Sequence, residues 1–168
     1  MDLRGHDKHM AYHPDLSPYE IHWLPKTFTS LAVGWLDDAH VYATGAVDQA
    51  VVDKLWAFCL APMQKFRGYH PCQFCAHPLF PIQARHGQMR LSLGSTILVV
   101  LGKHDSLYVI PDLIYHYIVE HNYLPPQEFL DVLRESPAPE ASEYQAIRNF
   151  YIQEVRRLRE GLVKTRKP

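Results

Sequence analysis

Two cysteines and two histidines stand out by type and spacing: Cys72-x2-Cys75 and, beyond residues 76–115, His116-x4-His121. Zn2+ favours four tetrahedral donors of thiolate and imidazole type. A Cys-x2-Cys turn lets both sulfurs reach one ion at about 2.3 Å while backbone amides stabilise the thiolates, and a His pair completes the set. Residues five apart on an ideal helix diverge by roughly 140°, so both rings can face one ion only where the helix tightens or frays near His121. The expected ligands of a structural zinc ion are therefore Cys72, Cys75, His116 and His121, with His70 and His77, which flank the cysteines, as substitutes. Two plainer assignments compete. With eleven histidines in the chain, His116 or His121 can be a helix-face residue satisfied by hydrogen bonds. A redox role for the cysteine pair needs the strand-then-helix setting that lowers a thiol pKa, and the pair sits instead in a proline-rich stretch. Cys59, beside Phe58 in a helical pattern, reads as packing.

Other chemistries find less. A catalytic zinc keeps an open position for water and wants a general base, for which Glu120 beside His121 is the only candidate. No His-x-Glu precedes Cys72, as a zinc deaminase requires, and no His-Glu-x-x-His is present. A glycine-rich phosphate loop and a Gly-x-Ser-x-Gly elbow are also missing. Arg148, Arg156, Arg157, Arg159, Lys164, Arg166 and Lys167 outweigh Glu154 and Glu160 near the C-terminus, so nucleic acid could bind there; a solvated helix face with a basic tail is the commoner use of such a pattern. Tyr69, Phe74 and Tyr115 read as packing around the metal.

The elements that must position these residues follow from periodicity and breakers. Residues 1–30, rich in His, Pro, Asp and Tyr, read as an extended arm, and Leu31 to Trp35 as a short strand. Val47, Val51, Leu55 and Phe58 recur at helical spacing, predicting a helix near 47–60 that Pro62 stops. Met63 to Pro81 reads as a loop. Met89 to Leu101 and Leu107 to Ile110 are strand-like and joined by a polar, glycine-containing connection, which predicts an antiparallel hairpin. Asp112 can cap a helix carrying Ile114, Tyr117, Ile118 and His121, ending near Asn122. Pro125 and Pro126 open another, with Phe129, Leu130 and Leu133 as its apolar face. After a linker at 136–141, Ser142 and Gln145 form a capping-box pattern, and Ile147, Tyr151, Val155, Leu158 and Leu162 predict a long amphipathic helix over 142–168, packed on the core or on a partner.

At 168 residues, 47% hydrophobic and 21% charged, the chain matches one ordinary folded domain, residues 1–135 forming an α+β core. A net charge of -1 offers no whole-molecule field for nucleic acid or an anionic membrane. The most apolar run, Ser95 to Leu101, is far short of the roughly 20 residues that span a bilayer. The N-terminus carries no apolar secretory segment, and three cysteines argue against a disulfide framework, so a cytoplasmic location is expected.

The stretches PDLSPYE at 14–20, VGWLDDAH at 33–40, RGYHPCQFC at 67–75 and PDLIYHYIVEHNYLPPQEF at 111–129 resemble a family of small, uncharacterised bacterial proteins. The resemblance spans roughly the first 130 residues; it implies a shared fold and a role for the cysteine motif, and it carries no established activity. The order of cysteine turn, hairpin and ligand-bearing helix is similar to that of treble-clef and zinc-finger modules. Together these readings predict a non-enzymatic, zinc-stabilised recognition module with a protein partner or a second copy of itself, for which a bacterial regulatory or immunity-type role fits. A zinc-dependent nucleic-acid binder and a small zinc hydrolase are the alternatives.

Overall fold

The computed structural model describes residues 11–21, 28–76 and 80–164. Residues 1–10 and 22–27 of the expected arm, His77, Arg166 and Lys167, and the side chains of Leu158, Arg159, Leu162 and Lys164 lie outside that description. Strands β1 (Thr29–Ala32), β2 (Gln64–Lys65), β5 (Thr96–Leu101) and β6 (Ser106–Pro111) form one sheet in the order β1-β6-β5-β2. Strands β3 (Ile82–His86) and β4 (Met89–Leu93) form a separate hairpin. The helices are α1 (Gln49–Leu60), α2 (Leu113–His121), α3 (Gln127–Glu135) and α4 (Ser142–Lys164).

β5 and β6 pair antiparallel, with Val99 opposite Val109 and Leu98 opposite Ile110. Their side chains do not alternate between apolar and polar because both faces of the sheet are covered. Leu98, Val100, Tyr108 and Ile110 join the main core with Leu55, Phe58 and Phe129 of the helices. Ile97 and Val109 turn the other way, onto Ala32 and Trp35, with Tyr19 and Ile21 of the arm packed against them. The arm is held by backbone bonds from Leu16 to Ala32 and from Tyr19 to Ser30, and by the Asp15 carboxylate, which accepts from Gly34 N–H and from the Tyr123 hydroxyl. β1 runs parallel to β6, a pairing across more than seventy positions that local pattern does not announce.

Several expected boundaries move. The apolar run Met89 to Leu101 is not one strand, since the chain turns at Gly94 and Ser95 and passes from the hairpin into the main sheet. The predicted loop Met63 to Pro81 contains β2, an edge strand of two residues. Asp112 does not cap α2; its carboxylate accepts from the N–H of Gly94 (2.8 Å) and Ser95 (3.4 Å) and from the Thr96 hydroxyl (2.8 Å), and those nearly buried donors outcompete the helix end. The capping box at α4 is likewise not formed, because Ser142 Oγ donates to Glu143 and Gln145 Nε2 donates to the Pro139 carbonyl. Tyr144 is fully buried against Phe58 with ring centroids 5.5 Å apart, and Ile147 and Tyr151 pack on the same core. Burying a ring of that size contributes about 2–3 kcal/mol, enough to seat the first turns of α4.

Candidate metal centre

Cys72 and Cys75 lie in the irregular segment between β2 and β3, where the backbone N–H groups of Phe74 and Cys75 point at the Cys72 sulfur. Such amides favour the thiolate, as a metal-binding cysteine turn requires. His116 and His121 come from α2, which packs beside this segment. The helix neither tightens nor simply frays at His121. It widens: the N–H of Asn122 reaches back five residues to the Tyr117 carbonyl, that of Tyr123 bonds the same oxygen at 3.0 Å, and Asn122 itself is left-handed at φ 52. A turn closed by a five-residue bond holds more residues per revolution, so side chains five apart come round to one side.

The four side chains converge on a point. Cys72 Sγ is 3.3 Å from His121 Nε2, Cys75 Sγ is 3.3 Å from His116 Nε2 and 3.4 Å from His121 Nε2, and the two Nε2 atoms are 3.2 Å apart. All four donor atoms lie within 4.8 Å of one another. A tetrahedron with bonds of about 2.3 Å to sulfur and 2.0–2.1 Å to nitrogen has N···N and N···S edges of about 3.3–3.6 Å. The arrangement therefore matches a single tetrahedral cation with little adjustment.

Burial sets the protonation of the donors. His116 is 8% exposed, and burial, reinforced by the neighbouring His121 ring, lowers its pKa to about 4. Burial lowers His121 as well. Cys72, 2% exposed, is pushed up to about 11 by burial, with the backbone N–H groups of Phe74 and Cys75 opposing the rise. Phe74 sits between the cysteines and packs its ring on Tyr42, Tyr117 and His121, closing one side of the cluster to water. Gln73 ties the same loop to Asp38, whose N–H donates to the amide oxygen.

His70 is not part of the cluster; its N–H donates to the Gly94 carbonyl at 2.7 Å, a bond that fixes the approach to Cys72. Glu120 is exposed and lines a cleft of about 200 Å3 with Arg85, Tyr115 and His116. What local pattern missed are the residues that hold the two halves together. Asp112 joins the start of α2 to the Gly94–Thr96 turn, and Gly94 joins that turn to His70. A carboxylate heading a helix in a run of buried apolar residues was the available signal.

Fold and side chains together define a small single-domain α+β protein with a Cys2His2-type group positioned for a metal ion. The chain belongs to the family described as a domain of unknown function (DUF7919), whose model matches residues 11–134. No curated protein and no solved structure matches it. The matched span holds all four donors and stops before α4. Among the described residues, no helix is long and apolar enough to cross a membrane.

Proposed function

We propose that Cys72, Cys75, His116 and His121 bind one Zn2+ structurally, and that the chain is a recognition module, not an enzyme. The observation that carries this reading is the convergence of two thiols and two Nε2 atoms within 4.8 Å, drawn from a loop and a helix that are distant in sequence. Thiolate and imidazole donors in that ratio suit zinc, while hard cations such as Mg2+ prefer oxygen. Four protein donors fill a tetrahedral ion and leave no position for an activated water. Zinc then acts by fastening the cysteine loop to α2, because the ligand set scarcely exists in the unfolded chain. What the module recognises is a protein or a second copy of itself, met on the surface that this loop and helix present.

Elemental analysis of chain purified without chelator tests the metal. One zinc per chain is expected, falling below a tenth of that in Cys72→Ser. Cobalt substitution should give the intense visible bands of a tetrahedral site with thiolate charge transfer in the near ultraviolet. Sub-stoichiometric metal that is the same in wild type and in Cys72→Ser would remove the proposal.

A further inference from the structure

The β3–β4 hairpin is a sheet of two strands, and among the described residues neither has a further strand beside it. His86 pairs with Met89 across a connection of two residues, Gly87 and Gln88, with Gly87 at φ +58. Glycine with positive φ in the first place is the pattern of a type II′ turn, whose flanking residues exchange backbone hydrogen bonds. Such pairs alternate along an antiparallel ladder. Ala84 and Ile82 therefore bond to β4 as well, whereas Gln83 and Arg85 turn their N–H and C=O groups to the outer edge. The Tyr115 hydroxyl agrees with that direction, since it donates to the Arg85 carbonyl from α2 at 3.0 Å. Among the described residues, no group outside the hairpin bonds to the backbone of Gln83.

An open edge is a template for another chain, and folded domains blunt it with proline, a bulge or a covering element. β3 contains neither a proline nor a bulge. α2 faces it across a cleft of about 200 Å3, walled by Gln83, Ala84 and Arg85 on one side and by Tyr115, Val119 and Glu120 on the other. The proposed metal ligand His116 lines the cleft too, so the metal centre fixes that second wall. Val119 leaves 46% of its surface exposed. On the open face of the hairpin Arg85 lies opposite Arg90, and neither has a carboxylate partner among the described residues. Like charges directly across a strand pair are destabilising. A carboxylate on a strand added beside β3 would relieve them.

We infer that the β3 edge takes up one extended segment of a partner protein as a third strand, with a carboxylate beside Arg85 and small apolar side chains turned toward Ala84 and Val119. This rests on the recognition reading above and gives it a partner and a place. In such strand addition the backbone bonds supply affinity and alternate side chains supply specificity. The residue opposite Gln83 exchanges both of its backbone bonds with it, and its side chain shares the open face with Arg85 and Arg90. Its two neighbours turn to the other face, where Ala84 is buried. Glu120 on the facing wall disfavours a run of acidic residues, so a single carboxylate among apolar ones suits the cleft. The space admits a single extended segment and not the hairpin edge of a second copy, which carries its own α2 alongside.

Fluorescence anisotropy of the labelled, end-blocked peptide Val-Thr-Val-Glu-Val-Thr-Val with the full chain tests it. Binding tighter than about 1 mM is expected, about fivefold tighter than for the same peptide with lysine in place of glutamate. Arg85→Glu should reverse that preference. N-methylation of the Thr and Glu amides, which face β3, should weaken binding about tenfold, and methylation of the Val amides, which face away, should not. Gln83→Pro removes an N–H that β4 does not use and should also weaken binding about tenfold. Ser92→Pro, the matching change on the outer edge of β4, should leave it unaltered. Bound peptide should slow amide exchange at Gln83 and Arg85. If Gln83→Pro lowers the melting midpoint, the methylated peptides and the exchange decide on the unaltered chain. The inference is overturned by no binding of the glutamate peptide, by equal binding of the two methylated isomers, by an Arg85→Glu chain that keeps the original preference, or by loss of binding in Ser92→Pro at an unchanged melting midpoint. A dimer in sedimentation that Gln83→Pro dissociates would overturn it too, by putting a second copy at this edge. A chain that holds zinc and self-associates elsewhere but takes no peptide keeps the recognition reading and loses this one.

Discussion

His116 and Cys72 meet an incoming ion in opposite states. The ring, with its pKa lowered by burial to about 4, is neutral at pH 7, whereas the thiol, pushed to about 11, still carries its proton. Zinc uptake at neutral pH should therefore release at least one proton per ion, since the thiolate is the ligand. Calorimetry in two buffers of different protonation enthalpy reads this directly, and a heat independent of buffer would contradict thiolate ligation. The same residues set the pH dependence of the metal-free chain. In the unfolded state His116 takes a proton near its ordinary 6.5, and in the folded state only near 4. Between those values the unfolded state binds more protons, so stability is whole above about 6.5 and is lost as the pH falls toward about 4. His121, lowered by burial, adds in the same direction. The urea midpoint of chelated protein should drop across that window, and His116→Gln should flatten the drop; a midpoint that rose on acidification would refute the buried neutral ring.

At Gly94 one backbone position serves two strands and a ligand loop. It adopts φ +102, and a Cβ there would collide with the His70 carbonyl oxygen. Gly87, in the β3–β4 turn at φ +58, is strained for an L residue too, yet its Cβ would meet nothing within 4 Å. Gly94→Ala is thus expected to cost about 2–4 kcal/mol and Gly87→Ala about 1 kcal/mol. Comparison of their urea midpoints checks this, and equal losses would show that the His70 contact is not the cause. Such positions explain which elements were legible in the sequence. α1 and α3 show themselves through apolar spacing and flanking prolines, all of it local. The four donors were legible for the same reason, as residue types at short spacings. The break within Met89 to Leu101 was not, because the Asp112 carboxylate that fixes it comes from the head of another element. Nor was the geometry that lets His116 and His121 share a point, since an ideal helix separates them and only the widened turn at Tyr117 reunites them. The parallel pairing of β1 with β6 depends on burial of both sheet faces, which no window of sequence displays.

For the whole molecule the question is how much of the fold the metal centre carries. Its donors fasten a loop to α2, while α1, α2 and α3 already share a continuous core with β5 and β6 around Leu55, Leu98, Ile110, Leu113 and Phe129. That core does not need the ion to close, and the Asp112 and Gly94 bonds hold the loop's flank to it independently. Removal of metal should therefore lower the melting midpoint without abolishing the transition. An ion at about a thousand times its dissociation constant stabilises by about 4 kcal/mol. At roughly 2–4 °C per kcal/mol for a chain of this length, the loss on chelation is about 8–16 °C. Hydrogen exchange should place the loosening in Phe66 to Ala76 and in the last turn of α2, with β5 and β6 still protected, because local opening follows the contacts removed. Complete unfolding on chelation would mean that the centre, and not the sheet and helices, nucleates the domain. An unchanged midpoint in metal-loaded and chelated protein would mean that the cysteine and histidine side chains satisfy one another without an ion.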